Sequence, residues 1–172
     1  MTVLYIIGGL VLLLVLLAFI VTTAFENKAE IVIDRPRPEV FDYLRSIKNQ
    51  RNWSVWGKDD PNMKEEFIGT DGTVGFIERW EGNNKVGKGS QEITRIVEGE
   101  RMECLFHFEK PMRMTNDVYI ATTTVEGNKT KVVWCISGKA PRPFNLVFPL
   151  MKGSMMKGFR KGLSNLKGVL EG

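Results

Sequence analysis

MKGSMMKGFRKGLSNLKGVL, residues 151–170, repeats an apolar side chain at Met151, Met155, Phe159, Leu163, Leu166 and Leu170. The steps of four, four, four, three and four put all six on one face of an α-helix. Such a stripe must be covered, and what precedes it decides by what. Residues 63–68, 75–81, 88–98, 101–109, 113–125 and 129–138 read as strands. They are separated by turns such as Gly82-Asn83-Asn84, Glu98-Gly99-Glu100 and Glu126-Gly127-Asn128. Consecutive hairpins make an antiparallel meander with one wet face and one dry face. Met102, Cys104, Phe106 and Phe108 share one parity in 101–109, as do Phe76 and Trp80, and Val132, Trp134 and Ile136. The dry face is rich in large aromatics, and it is the one surface available to the stripe.

Upstream, residues 28–34 alternate as a strand, and Arg35-Pro36-Arg37-Pro38 ends it. Pro38 suits the first turn of a helix, along which Val40, Phe41, Leu44 and Ile47 recur at helical spacing up to Asn49. A loop with Trp53 and Trp56 follows, to Pro61. The order strand, helix, six strands, long helix predicts an α+β domain, a curved antiparallel sheet wrapped around its C-terminal helix.

The N-terminus is of another kind. No charge falls between Thr2 and Phe25, and residues 3–21 are almost wholly Leu, Ile and Val. About 20 apolar residues suffice to cross a bilayer as a helix. A cleaved signal peptide is the rival reading. The apolar run is longer than a signal h-region, no Lys or Arg precedes it, and Thr22-Thr23-Ala24 is a poor cleavage site. The expected organisation is therefore a transmembrane anchor over 1–26, contacting the membrane through residues 3–25, and one domain over 27–172. Lys28, Arg35 and Arg37 favour a cytoplasmic domain by the positive-inside rule, which weakens for long soluble domains, so both sides stay open.

The chain of 172 residues carries a net charge of +4. Its positive excess lies at the end, where Lys139, Arg142, Lys152, Lys157, Arg160, Lys161 and Lys167 face a single acid, Glu171. Beside an anchor such a helix could rest on anionic headgroups, although a solvated face explains it as well. Nucleic-acid binding has only this helix in its favour, and the apolar anchor argues against it.

No catalytic constellation is legible. His107, the one histidine, falls on the wetter face of its strand. Cys104 and Cys135 form no zinc or redox motif and read as small core residues, or as a pair that an oxidising compartment could bridge. Residues 82–89 approach a phosphate-binding loop, but Gly89 stands where Ser or Thr is needed, and the segment joins two strands. Asp59-Asp60 and Glu65-Glu66 are adjacent pairs, and Glu65 and Glu66 point to opposite faces of a strand. No cofactor and no metal is expected. Glu78, which shares parity with Phe76 and Trp80, and Arg95 or Tyr119 are the polar groups available to an enzyme.

Several segments together make the chain resemble the START-like, polyketide-cyclase-like (SRPBCC) superfamily, and its bacterial membrane-anchored members in particular. They are PRPEVFDYL (36–44), WSVWGKDDPNM (53–63), VGKGSQEIT (86–94), Phe108-Glu109-Lys110-Pro111, Val133-Trp134 with Ser137-Gly138, and Gly162-Leu163-Ser164-Asn165-Leu166-Lys167. The resemblance implies the helix-grip fold and a cavity between helix and sheet that relatives use for a hydrophobic ligand. Its lining would come from Phe76, Trp80, Met102, Phe106, Phe108, Trp134, Met155 and Phe159, though large residues of this kind also simply pack cores. Three functions are compatible. The first is a membrane-anchored binding domain for a hydrophobic or amphipathic small molecule or lipid. The second is a cyclase or aromatase-type enzyme on a hydrophobic substrate, favoured if polar groups converge in the cavity. The third is a structural or regulatory domain with a filled core and a protein partner, for which Trp53 and Trp56 offer an interface.

Overall fold

The computed structural model describes residues 1–56, 58 and 60–172. Asp59 lies outside them, so the Asp59-Asp60 pair is not placed. The chain runs α1 (Thr2–Ile20), β1 (Ala24–Ile33), α2 (Arg37–Arg45), a 3-10 turn (Ile47–Asn49) and α3 (Gln50–Trp53). Six strands follow: β2 (Lys64–Ile68), β3 (Ile77–Glu81), β4 (Lys88–Val97), β5 (Arg101–Lys110), β6 (Met114–Val125) and β7 (Lys129–Lys139). A 3-10 turn (Phe144–Leu146) then leads into α4 (Phe148–Glu171). The strands form one antiparallel sheet in the order β1-β7-β6-β5-β4-β3-β2. The α+β helix-grip architecture expected from the sequence is what is found, with two local additions. The tryptophan loop opens with the short α3, and β1 begins at Ala24, within the stretch assigned to the anchor.

Local chemistry accounts for the elements. In α2, Pro36 caps the start in an extended conformation, Glu39 sits in the first turn and Arg45 in the last, both favourable to the helix dipole. The end of that helix is tied down by Asp71, whose carboxylate accepts from Ile47 N at 2.8 Å and Ser46 Oγ at 2.5 Å. The β4–β5 hairpin turns at Gly99, whose φ of 69° lies in the left-handed region that glycine adopts without cost. A bulge between Ile93 and Arg95 adds curvature to the β4–β5 ladder.

α4 lays its C-terminal half across the concave face, burying Phe159, Gly162, Leu163 and Leu166 against Trp134, Ile33, Val132 and Ala29. Its first turn extends beyond the covered region and is largely exposed. α1 is the one helix among the described residues long and apolar enough to cross a membrane; by length and composition a signal sequence qualifies too. Its end is held by the domain, since Asn145 Nδ2 donates to Ala18 O and Val21 O, both at 2.9 Å. Asn145→Ala, which removes both bonds from a fully buried site, is expected to cost about 1–3 kcal/mol. Faster amide hydrogen exchange at residues 21–25 is the readout, and unchanged exchange would mean that α1 is held by something else.

Candidate functional site

Cross-strand register sorts the concave face into transverse rows. Across the middle run Phe76, Ile93, Cys104, Val118, Ile136 and Asn27, and one step toward the α4 end lies Ile96, Met102, Ile120, Trp134 and Ala29. One step the other way lies Phe67, Glu78, Gln91, Phe106, Asn116, Gly138 and Phe25. The outermost row is Glu65, Trp80, Gly89, Phe108 and Met114.

The eight residues expected to line a cavity separate into two groups. Phe76, Met102, Trp134 and Phe159 are buried core. Trp134 and Phe159 meet at 4.4 Å between ring centroids, with Trp53 against Trp134 at 4.9 Å and Trp56 at 5.3 and 5.2 Å from the pair. This four-ring cluster occupies the space between α4 and the sheet. Trp80, Phe106 and Phe108 form a second cluster, at 5.7–6.1 Å, which is only partly buried. Met155 is likewise half-buried, with its sulfur 3.4 Å from Asn27 Nδ2. Trp53, expected in an exposed interface loop, is instead fully buried. Its place on α3 turns it inward, where its carbonyl accepts from Asn165 Nδ2 of α4 at 3.0 Å. Trp56 beside it is 48% exposed.

Between the two aromatic clusters lies a polar strip. Glu78, Gln91 and Asn116 share one row, and Asn27 ends the next; all four are buried. Gln91 Nε2 donates to Glu78 Oε2 and weakly to Gln50 Oε1 at 3.4 Å. Gln91 Oε1, Asn27 Oδ1, both amide atoms of Asn116 and the Trp53 indole N–H find no hydrogen-bond partner among the described residues. A buried polar atom left unpaired costs about 1–3 kcal/mol, so a strip of them is expensive unless something complementary binds there. Asn116 lies directly over Gly138, where a Cβ would collide with its amide.

Burial pushes the Glu78 carboxyl above the usual carboxylate range, while the Gln91 bond and the Arg51 charge pull it back in part. Folding thus favours protonated Glu78. That contribution to stability is full below the ordinary carboxylate range and is lost as pH rises through the raised value. The melting temperature of the native chain relative to Glu78→Gln should therefore climb as the pH is lowered toward about 4. A difference that stays flat with pH would contradict the burial of this carboxyl. Burial also pushes the Cys104 thiol up to about 12, with the Glu78 charge adding to it, so Cys104 is no nucleophile at neutral pH.

The remaining candidates do not converge on this strip. Arg95 and Tyr119 lie on the opposite face, Arg95 beside Glu103 and Tyr119 under the Arg101 guanidinium at 3.7 Å. His107 is exposed and bonds Thr115 Oγ1 at 3.0 Å. Glu65 pairs with Arg51 and Glu66 with Arg79, on opposite faces. Cys104 and Cys135 are free, buried and on opposite faces of the sheet, so they cannot bridge each other. Among the described residues no group of three His, Cys, Asp or Glu could hold a metal ion. Gln91 and Asn116 were missed by sequence reasoning, yet a signal existed: each is a polar residue on the apolar parity of its strand. Asn27 was hidden at the margin of the anchor.

A curved antiparallel sheet gripping a long helix, with an aromatic and polar inner face, defines a helix-grip domain of the hydrophobic-ligand-binding or cyclase-like class. The chain belongs to the polyketide cyclase / dehydrase and lipid transport family, whose model matches residues 24–171. No curated protein matches it. Among solved structures it is similar to MLL2253 from Mesorhizobium loti, at 15% identity and a TM-score of 0.63, over 86% of this chain and 97% of that one. Mll3558 from Rhizobium loti is similar at 18% identity and 0.61, over 84% and 96%. DynU16, a protein of the dynemicin biosynthetic locus, is similar at 14% identity and 0.59, over 85% of this chain and 47% of DynU16. At these identities the likeness is one of fold.

Proposed function

We propose that the protein is a membrane-anchored binding domain for an amphipathic small molecule or lipid, with α1, inside the 1–26 stretch, as the anchor and the sheet that begins at Ala24 as the start of the binding domain that fills 27–172. The observation that carries this reading is the strip of unpaired buried amides and the Glu78 carboxyl, set between two aromatic clusters. Aromatic rings and Met155 offer an apolar body its surface, and the strip offers a head group its hydrogen bonds. Oxygen acceptors predominate there: Gln91 Oε1, Asn27 Oδ1, Asn116 Oδ1 and the Glu78 carboxyl. No Lys or Arg stands on the strip's row. The head group that fits is therefore an uncharged one that can donate to these oxygens and accept from Asn116 Nδ2, a hydroxyl or amide. Lys28, Arg35 and Arg37 argue for a cytoplasmic domain.

The test is native mass spectrometry with lipid extraction of the full chain, purified from membranes in mild detergent. A defined neutral amphiphile retained by the protein is the expected result. A protein that carries nothing, and that binds no hydroxylated amphiphile added back, would leave the filled-core domain with a protein partner as the better reading.

A cyclase or dehydratase is the second reading, favoured by a carboxyl held toward its protonated form in an apolar setting. Here Glu78 would act as general acid on a substrate hydroxyl: the hydroxyl takes its proton and leaves as water, a C=C bond forms, and the proton lost from the neighbouring carbon returns to the Glu78 carboxylate. Glu78→Gln would then retain a species one water heavier than the native protein does. Identical species in both would exclude Glu78 as the acid.

A further inference from the structure

The end of the domain nearest the anchor exposes an apolar cluster that the ligand site does not use. Phe144, Val147, Leu150 and Met151 are 46%, 44%, 81% and 52% exposed. They occupy the 3-10 turn and the first turn of α4.

This segment is bonded to the end of α1. Besides the two Asn145 bonds, Arg142 Nε donates to Ala18 O at 2.9 Å, and its guanidinium lies 5.2 Å over the Phe19 ring. Phe148 packs on Phe25 at 4.8 Å. Carbonyls in the last turn of a helix lack intrahelical partners, and here the domain supplies them. The 19 residues of α1 rise about 28 Å at ~1.5 Å each, close to the ~30 Å of a hydrocarbon core. A spanning α1 therefore ends at the interface, and residues 144–151 are held beside that end. The local charge suits an anionic surface: Lys139, Arg142 and Lys152 flank the cluster along the chain, and no acid occurs between Lys129 and Leu170.

A cleft of about 290 Å³ opens at the same place, between the start of β1 and the start of α4. Phe25, Asn27, Phe148 and Lys152 line it, with Glu26 the one acid in its wall. Asn27 is also the end of the polar strip on the inner face.

We infer that residues 144–151 form a second membrane contact, lying in the headgroup layer of an anionic leaflet and turning the mouth of the Asn27 cleft toward the bilayer. The inference rests on the anchor reading, and its ligand would enter from lipid rather than from water.

The test uses the full chain in vesicles of phosphatidylcholine and phosphatidylglycerol with brominated acyl chains, carrying an environment-sensitive fluorophore at Leu150→Cys. Leu14→Cys, within α1, and Glu126→Cys, at the far end of the β6–β7 hairpin, are the comparison sites; the native cysteines are buried. Quenching at position 150 of roughly two-fold is expected, as for a side chain buried about 5–10 Å into the interface, with none at 126. It should weaken when phosphatidylglycerol is left out. No quenching at 150 with quenching at 14 intact overturns the inference. No quenching at 14 overturns the anchor reading itself, and this inference with it.

Discussion

Replacing Trp53 with alanine should lower the stability of the full chain by about 3–5 kcal/mol, among the largest losses that a single core truncation produces. The indole is fully buried and meets Trp134 edge-on at 4.9 Å, and through that ring it belongs to the cluster with Trp56 and Phe159. Its removal leaves a gap between α3, α4 and β7, whose backbones are fixed by ladder and helix hydrogen bonds and cannot close it. At about 2–4 °C per kcal/mol for a domain of this size, the midpoint of thermal unfolding in detergent should fall by roughly 6–20 °C. Trp56→Ala should cost much less, since half of that ring already faces solvent. Equal effects of the two substitutions would mean that the four rings are not organised around a buried Trp53.

The double variant Glu78→Leu/Gln91→Met should do the opposite to stability and remove binding. Both partners of a buried polar pair are replaced by apolar side chains of similar length, an exchange that is often nearly neutral or stabilising. A melting temperature unchanged or raised by several degrees is expected. The co-purified amphiphile should fall at least about tenfold, because one lost hydrogen bond to a buried group is worth about 1.4 kcal/mol or more. The two readouts must diverge for the ligand role to stand. A variant that loses stability would show that the strip serves the fold rather than a ligand.

The contrast between these variants reflects how the inner face was legible. Alternation in 101–109 identified Met102, Cys104, Phe106 and Phe108 as one face, and the register confirms it. The same parity rule places Gln91 of β4 and Asn116 of β6 on that face, where two polar residues stand among large apolar ones. Trp53 misled for another reason. A tryptophan between two polar stretches reads as loop, and only the packing of α3 against α4 shows that it points inward.

What the sequence determined by itself is whatever repeats with a period. The four-residue stripe of α4 and the two-residue alternation of the strands state which face is apolar, the glycine turns mark where one strand ends and the next begins, and the charge-free run of α1 is apolar on every side. An apolar face has to be covered, so the helix-grip architecture follows from them. Tertiary structure alone decided how the interior is divided. Whether a buried aromatic fills space or borders it depends on distances between elements far apart in the chain, such as Trp53, Trp134 and Phe159. Whether Asn27, Gln91 and Asn116 find partners depends on which strands neighbour which, and that is a property of the assembled sheet rather than of any one strand.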